Sequence, residues 1–422
     1  MEVVEKSLGE VHFGAAALRD ARLTERLVRV ANQLIAHPNE TFPKKFQNPT
    51  DLQAFYRLMK NAKVTHASVL AAHRDVTRER MRATPGVVLA IQDTTVLDYS
   101  GLDASADLAP IGNGNGRGFS CHNCLAVVAQ SREVLGLAAQ VLHRRRKVPN
   151  GEKRAARQQQ PQRESRRWKT ISKQLSAAPT DGAAGQCWVD VADRGADITE
   201  FLDYEEEVGK KYLVRSQHNR WIEQKTAERT GKIKLHELAR TLPAVGSGPL
   251  EVQEKPGQPA RTTVGSVSWQ AVTLVPPRQR RGAERGVPRS TWVVRVWEEH
   301  PPAGVAALEW ILLTNVAVQT LAEAFERMDW YSLRWISEEY HKAPKTGCDI
   351  EKMQFSYRAR LEPAIALMSI VAVLLLSLRD HSRAADAQER PATDRVPPLW
   401  VRILSKWRHG TVRTDWSVHD FY

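Results

Sequence analysis

Two kinds of hydrophobic pattern occur along this chain of 422 residues. Short apolar runs that end at polar residues predict buried strands. Apolar residues at three- and four-residue steps predict amphipathic helices. Strands are predicted at residues 87–91, 124–130, 134–142, 188–191, 262–274, 292–297 and 310–313, and helices at 13–36 and 51–60. A chain with both types of element is predicted to be an α/β protein.

The longest apolar run, at 364–378, predicts a buried core helix. It is shorter than the ~18–20 residues of a bilayer span, and it contains two serines. The N-terminus is acidic and has no apolar core, so no secretory signal peptide is predicted. We therefore expect a cytoplasmic protein without a membrane partner.

The N-terminal residues are predicted to form a small helical module. The helix at 13–36 carries arginines at three- and four-residue steps, and the helix at 51–60 follows cap and turn residues at 48–50. A third helix is predicted to begin near Thr65 or Ala67. Clustered arginines on short helices suit contacts with DNA phosphates, although a solvated helical cap would show the same pattern. The candidate DNA contacts are Arg22, Arg26 and Arg29.

Net charge points to a polyanionic partner. Lys plus Arg number 61 against 48 Asp plus Glu, giving a net charge of +13. Nucleic acid is the commonest partner of this kind, and an anionic membrane surface would suit the same charge. The segment 143–169 holds eleven Lys or Arg against two Glu, and it is predicted to order on DNA. A solubilising surface loop is the alternative for that segment.

Two other motifs do not indicate a zinc site or a dinucleotide site. Cys121 and Cys124 could begin a zinc site, but the sequence has no second close Cys or His pair to complete four ligands, so reduced thiols are expected. The glycines of 110–118 do not follow the GxGxxG pattern between a strand and a helix, which excludes a dinucleotide site there.

The stretch 330–347 combines aromatic and charged residues and reads WYSLRWISEEYHKAPKTG. It has no Gly or Pro before Pro344, which predicts one helix. At about 100° per residue, Tyr331, Arg334, Glu338 and Lys345 lie near one face. Arg and Lys bind phosphate oxygens and a carboxylate holds magnesium, so this face suits a phosphate substrate beside a metal ion. A solvated, salt-bridged helix face is the alternative.

These four residues match, in type and spacing, the signature helix of the bacterial insertion-sequence transposases of the Tn-five-like group. The chain resembles that family from about residue 10 to about residue 380, also in the stretch LEWILLT around Trp310. The resemblance implies an RNase-H-like catalytic core interrupted by a β-rich insertion and preceded by an all-helical DNA-binding domain. Pro344 departs from the family pattern, and proline breaks or kinks a helix. The implied boundaries are 1–72 for the helical domain, 73–215 and 304–380 for the core, 216–303 for the insertion and 381–422 for a partial C-terminal region.

The resemblance also implies a metal site of two aspartates and one glutamate. Asp93 in the DTT sequence, Asp193 in DRGAD and Glu338 occupy the family's three positions. Two Mg²⁺ ions, for which Mn²⁺ can substitute, would lie roughly 4 Å apart there. The neighbouring acids are weaker candidates: Asp190 lies within the strand, Asp197 is expected to cap a helix that begins at Ile198, and Glu339 is turned about 100° from the Arg334 face.

DNA contacts follow from the same resemblance. Tyr331, Arg334 and Lys345 would hold the phosphates near the cut, with Lys342 and Arg215 as further contacts. Trp310 would stack on a base flipped from the duplex, or it is an ordinary core tryptophan.

The implied activity is cut-and-paste transposition. The protein would bind double-stranded transposon-end DNA as a homodimer, cleave it through a hairpin intermediate and join the ends to target DNA. Two alternatives remain at this point. One is a transposase-derived DNA-binding protein without cleavage activity, and the other is an RNase-H-like nuclease without strand transfer.

Overall fold

The computed structural model describes most of the chain. The described residues are 6–38, 40–102, 107–112, 115–146, 149, 151–153, 156, 160, 163–180, 183, 185–225, 230–254, 259–276, 287–383, 386–394, 396 and 398–421. The chain divides into two compact units. Unit 1 comprises residues 1–84, 94–152 and 338–422, and unit 2 comprises 85–93 and 153–337.

Helices are interspersed among the strands in the middle of the chain, where the hydrophobic pattern predicted strands. The helices are α1 Leu8–Phe13, α2 Ala21–Ala36, α3 Pro49–Lys60, α4 His66–Ala83, α5 Arg166–Gln174, α6 Thr199–Glu207, α7 Leu235–Thr241, α8 Leu321–Ser332, α9 Trp335–Lys342, α10 Arg358–Arg383, α11 Pro398–His409 and α12 Val418–Phe421. The strands are β1 Val87–Asp98, β2 Ala109–Pro110, β3 Arg117–Val128, β4 Val134–His143, β5 Cys187–Ala192, β6 Lys211–Arg215, β7 Trp221–Lys225, β8 Thr230–Lys234, β9 Gly246–Val252, β10 Arg261–Leu274, β11 Arg289–Glu298 and β12 Glu309–Thr314. Every predicted strand is present, but β1 continues to Asp98 beyond the predicted end at residue 91, and β3 begins at Arg117, well before the predicted start at residue 124.

The N-terminal helices begin at capping residues. Asn48 accepts the backbone N–H of Asp51 at the start of α3, and Thr65 forms a capping box with Ser68 at the start of α4. Both helices therefore begin where the sequence predicts. The boundary predicted at residue 72 lies inside α4.

The continuous helix predicted at 13–36 is wrong. α1 ends at Phe13, and α2 begins only at Ala21. Arg19 adopts a left-handed backbone with φ of 58°, and Asp20 then caps α2 by accepting the N–H of Arg22. This cap starts a new helix in spite of the alanine-rich sequence before it.

A pair of buried histidines ties α1 to the rest of unit 1. Nδ1 of His12 lies 3.0 Å from Nδ1 of His73 on α4, and both side chains are fully buried. The N–H of Leu137 on β4 donates to Nε2 of His73 at 3.0 Å. His73 must therefore carry its proton on Nδ1 and donate it to His12, which fixes both rings as neutral tautomers.

The sheet of unit 1 is an antiparallel hairpin beside the end of β1. β3 pairs with β4 and, at its start, with β2. Gly118 of β3 lies so close to the carbonyl oxygen of Leu97 that a Cβ there would collide with it. Cys121 and Cys124, three residues apart on β3, point to opposite faces of the strand, which argues against a shared zinc site. All of Cys121, Cys124, Cys187 and Cys348 are free thiols.

α10 is the central helix of unit 1. By length and composition it could cross a membrane, but 78% of its apolar window is buried inside the protein. The prediction of a buried core helix at 364–378 is confirmed, and the helix extends beyond that run at both ends. Within the predicted C-terminal region 381–422, buried Ala392 and Val396 form a small core with Val401 and Trp416.

Unit 2 is built on a mixed sheet. β1, β5 and β6 are parallel, and β12, β11 and β10 continue the sheet in antiparallel order. β7 and β9 both pair with β10, and β8 pairs with β7. The β-rich insertion is thus not a separate sheet, because its strands extend the one that carries β12.

Candidate active site

Strand register places two aspartates side by side. In the parallel pair of β1 and β5, Gln92 is paired with Ala192, and the next residues are Asp93 and Asp193. β1 continues to Asp98, so Asp93 lies inside the strand and not after its end, as the pattern had suggested. Asp193 follows the last residue of β5 and accepts the N–H of Gly195 at 2.8 Å. The two predicted ligands therefore lie on neighbouring strands of unit 2.

The electrostatics of this pair favour a bound cation. Burial raises the pKa of Asp193 above its ordinary value, and the negative charge of Asp93 raises it further. The N–H of Gly195 and the charges of Arg334 and Arg167 oppose this rise. Two partly buried carboxylates that repel each other are stabilised when a cation lies between them.

Two arginines lie close to the aspartates. Arg334 donates to Oδ2 of Asp93 at 2.6 Å, and the hydroxyl of Ser337 donates to the same oxygen at 2.8 Å. Burial lowers the pKa of Arg167, while the charges of Glu164, Asp193 and Asp93 raise it. Sequence reasoning did not single out Arg167. The feature of the sequence that could have indicated Arg167 was its position next to Trp168 in RESRRW. The side chain of Trp168 is buried and anchors α5.

The single helix predicted over 330–347 is wrong. α8 ends at Ser332, and α9 begins at Trp335. Between them the N–H of Arg334 bonds to Tyr331, and the N–H of Ser337 bonds to Arg334, both across three residues. Such tight turns advance by about 120° per residue, so positions calculated at 100° do not hold here. No Gly or Pro marks this change in the sequence.

Pro344 does not end the helical conformation but lies in a wider helical turn. Residues Ala343–Gly347 form a π-helical turn in which the N–H of Cys348 donates to Ala343 at 3.0 Å. The wide turn accommodates the missing N–H of proline. Lys345 lies on this turn with its ammonium 3.8 Å from Glu351. Lys342, one turn earlier, is exposed.

Glu339, the neighbour of Glu338 on α9, is bound to α10. It accepts from Arg379 of α10 at 2.9 Å within unit 1. Glu338 follows Ser337 directly on α9, whose first three residues belong to unit 2 and the others to unit 1. A carboxylate oxygen of Glu338 and a ring nitrogen of His341 lie within 4.8 Å of each other.

His341 is a further candidate that sequence reasoning missed. It is buried, and one ring nitrogen lies 3.1 Å from the amide of Asn123. Asn123 accepts from Gln140 at 2.7 Å, and Gln140 is also bonded to His66 and Ser369. Such a network fixes the orientation of the ring. The only signal in the sequence was the HK pair that follows the glutamates.

The predicted aromatic and arginine contacts gather around Tyr331. Trp310 contacts the Tyr331 ring edge-on, with centroids 4.9 Å apart, and is half-buried. Burial raises the pKa of Tyr331, while the charges of Arg334 and Arg215 lower it. Arg215 also donates to the carbonyl of Glu309 at 2.7 Å. These four side chains therefore form one cluster in unit 2.

The neighbouring acidic residues Asp190 and Asp197 form buried ion pairs that stabilise the fold. Asp190 is buried with its carboxylate 2.7 Å from the ammonium of Lys210. Asp197 does not cap α6, because that helix begins at Thr199 with Ile198 as its cap residue. Asp197 is fully buried and binds Arg220. Both acids are committed to ion pairs, which leaves Asp193 as the stronger candidate.

Residues 7–64 match a protein family described as Transposase DNA-binding. The match supports a transposase that binds DNA. It spans α1 to α3, and the side chains of Arg22, Arg26 and Arg29 inside it are exposed. Arg22 pairs with Asp20, and Arg29 pairs with Asp51.

Only part of the basic segment 143–169 is described. Arg145 donates to the carbonyl of Gly112 at 2.7 Å, and Arg146 pairs with Glu152. The basic residues at 147 and 154, and Arg157, lie outside the described residues. So does most of the basic run 278–289.

Proposed function

We propose that this protein is a cut-and-paste DNA transposase. It binds the double-stranded ends of its element, cleaves them by two-metal phosphoryl transfer through a hairpin and joins them to target DNA. The observation that carries this proposal is the pair Asp93 and Asp193 on neighbouring parallel strands, with the pKa of Asp193 raised. The transposase DNA-binding match at residues 7–64 supports it independently.

The donor chemistry of the aspartate pair fits a hard divalent cation. Carboxylate oxygens are the protein ligands that Mg²⁺ and Mn²⁺ prefer. We assign Asp93, Asp193 and Glu338 as the ligands of two such ions. When bound, these ions would supply Lewis-acid activation of the attacking oxygen and stabilisation of the leaving oxygen.

Cationic side chains around the pair are proposed to position the DNA. Arg334 would exchange the carboxylate of Asp93 for a phosphate oxygen, and Arg167 would neutralise charge beside Asp193. Tyr331 and Arg215 would fix the strand next to the cut, where Trp310 could stack on a flipped base. Lys342 and Lys345 would bind phosphates further along.

The strand arrangement supports an RNase-H-like core. In unit 2, β1 is followed by parallel β5 and β6, and in unit 1 the antiparallel pair of β3 and β4 adjoins β1. We further propose that the protein acts as a homodimer in a synaptic complex, in the cytoplasm.

Cleavage of a labelled duplex tests this function. The duplex carries the terminal repeat that borders the protein's own gene, and Mg²⁺ is present. We expect nicked and hairpin products from the wild type and from Glu339→Ala, and none from Glu338→Ala. Glu339→Ala is a matched control, because it removes the adjacent carboxylate of the same helix. Binding without cutting by the wild type would reject the enzyme in favour of a transposase-derived DNA-binding protein.

A further inference from the structure

A basic pocket of about 740 Å³ lies within unit 2. Its wall includes His218, Arg220, Trp221, Lys232 and Lys234. No acidic side chain is among the described residues that line it. A cavity with several cationic groups and an aromatic ring suits an anionic ligand that also has a flat face.

The loop at one side of the pocket is held rigidly from beneath. The buried carboxylate of Asp197 accepts the N–H groups of Gln217 at 2.7 Å and His218 at 2.8 Å. It also pairs with the guanidinium of Arg220, whose Nη2 donates to the Asp197 carbonyl at 2.9 Å. The buried charge of Asp197 therefore fixes the backbone of this loop before a ligand binds. Binding at the surface of the loop does not carry the entropy cost of ordering that backbone.

Trp221 is the aromatic surface of the pocket. Its side chain is 49% exposed, which is unusual for so large an apolar group. Its backbone is fixed by the ladder of β7 and by the N–H of Val275, which donates to its carbonyl at 2.8 Å.

Two lysines line the pocket together with this ring. The Lys234 ammonium lies 4.1 Å from the ring centroid and donates to the carbonyl of Asn219 at 3.1 Å. Lys232 is exposed on the same strand, two residues away, and therefore points to the same face of β8. An exposed indole on β7 thus lies beside the neighbouring strand β8, which carries two positive charges.

We propose that this pocket binds an unpaired nucleotide of a DNA strand. The base stacks on Trp221, and the flanking phosphates bind Lys232, Lys234 and His218. Stacking on an indole requires a free base face, which a closed duplex does not offer. The site therefore distinguishes single-stranded DNA from duplex DNA. This inference goes beyond the cleavage chemistry and requires only that DNA is the partner.

Fluorescence anisotropy of the full-length protein with a labelled oligothymidylate of about twelve nucleotides tests the stacking, since single-strand sites cover ~4–16 nucleotides. We expect Trp221→Ala to weaken binding by roughly 5- to 150-fold, the effect of losing one base–aromatic stack. Trp221→Phe should restore most of the affinity. Trp407→Ala is the matched control, because Trp407 is 82% exposed elsewhere in the chain.

Salt dependence tests the phosphate contacts. Lys232→Gln and Lys234→Gln should each lower the slope of log affinity against log salt by about 0.7, the value for one single-strand phosphate contact. Lys352→Gln, which changes a lysine that is 74% exposed, should leave the slope unchanged. Thermal unfolding of each variant verifies that it is folded.

Two results would overturn the proposal. One is equal binding of oligothymidylate by Trp221→Ala and the wild type. The other is an equal loss of affinity of Trp221→Ala for a duplex of the same length, which would show that the pocket contacts the duplex backbone. Cleavage of the terminal-repeat duplex is measured separately, so failure of the transposase function is distinguished from failure of this site.

Discussion

Arg334 holds Asp93 through a direct contact, with Nη1 of the guanidinium 2.6 Å from Oδ2 of the carboxylate. The same oxygen accepts the hydroxyl of Ser337. An oxygen with two donors is less available to a cation. Arg334 therefore competes with the proposed metal for Asp93, and the same guanidinium is proposed to bind DNA phosphate.

Arg334→Gln should separate these two roles. We expect the variant to bind Mn²⁺ about tenfold more tightly, equivalent to ~1.4 kcal/mol, because Asp93 loses a charge-assisted partner. Cleavage should nevertheless fall, since the phosphate contact is lost. Electron paramagnetic resonance titration with Mn²⁺ measures the affinity. Arg163→Gln, which breaks an ion pair with Glu200, is the control, and unchanged or weaker Mn²⁺ binding by Arg334→Gln would contradict the competition.

Asp193→Asn should stabilise the metal-free protein. The substitution removes one of two carboxylates that repel each other, so we expect a higher unfolding temperature in EDTA. Saturating Mn²⁺ at one hundred times its dissociation constant should stabilise the wild type by ~2.7 kcal/mol and leave the variant unchanged. Differential scanning calorimetry measures both effects. Asp75→Asn, at an exposed site on α4, controls for the loss of charge, and a variant that still responds to Mn²⁺ would remove Asp193 from the site.

Arg26→Gln should weaken duplex binding through one phosphate contact. Arg26 is exposed on α2 inside the region that matches the transposase DNA-binding family. We expect the salt slope for terminal-repeat duplex to fall by about 0.9. Arg360→Gln, in α10, serves as the comparison outside that region. An unchanged slope for Arg26→Gln would place the DNA on another face of these helices.

The buried histidines predict a loss of stability in acid. Burial lowers the pKa of His12 to about 3 and lowers that of His73 well below its usual range, and the charge of Arg80 contributes to both. The unfolded chain, with pKa values near 6.5, therefore binds more protons than the folded chain below that pH. The contribution to stability is complete above about pH 6.5 and is lost as the pH falls, by up to ~1.4 kcal/mol per pH unit for each histidine.

Urea unfolding across about pH 7.5 to 5.5 measures this slope. His12→Gln should reduce the slope, because one of the two protonation sites is gone. His300→Gln, at an exposed position, should leave it unchanged. A wild-type stability that is flat over this range would contradict the neutral pair.

Glu205→Gln should stabilise the protein in alkaline solution. Burial raises the pKa of Glu205 far above its usual range, and the charge of Asp190 adds to this, whereas Lys210 and Ser172 oppose it. The folded state retains a proton that the unfolded chain releases near pH 4.5, so stability is lost as the pH rises above that value. Glutamine replaces the neutral acid and removes this loss. Thermal unfolding at about pH 8 measures the gain in stability. Glu207→Gln, at an exposed neighbouring position, is the control. A loss of stability in Glu205→Gln would show that the Glu205 carboxylate is charged in the folded protein.

The strands could be predicted from local sequence, whereas Asp93 and Asp193 were selected through the family resemblance. Val87 to Ile91 is apolar on both faces, which identifies a strand covered on both sides, and Trp188, Val189 and Val191 indicate the strand before Asp193. The parallel register then follows from the pairing of Gln92 with Ala192. Capping residues, such as Asn48 and Thr65, likewise determined where helices begin.

The break between α8 and α9 depends on contacts that no local pattern records. Arg334 and Ser337 reach Asp93, which is more than 240 residues away in the chain. Helical propensity across Leu333 favours a continuous helix, and these long-range contacts override it. For the same reason Arg167 and His341 could not be selected, since each is defined by neighbours that are distant in sequence.

The region that matches the DNA-binding family ends at residue 64, whereas His12 is buried against His73, and His73 in turn is bonded to Leu137. A peptide that ended at residue 64 would retain Arg22, Arg26 and Arg29. It would lack His73, so the side of α1 that carries His12 would be exposed. The arginine surface proposed to bind DNA consequently depends on residues outside the region of the family match. A transplant that preserves the fold beneath this surface would require α4 and the β3–β4 hairpin as well.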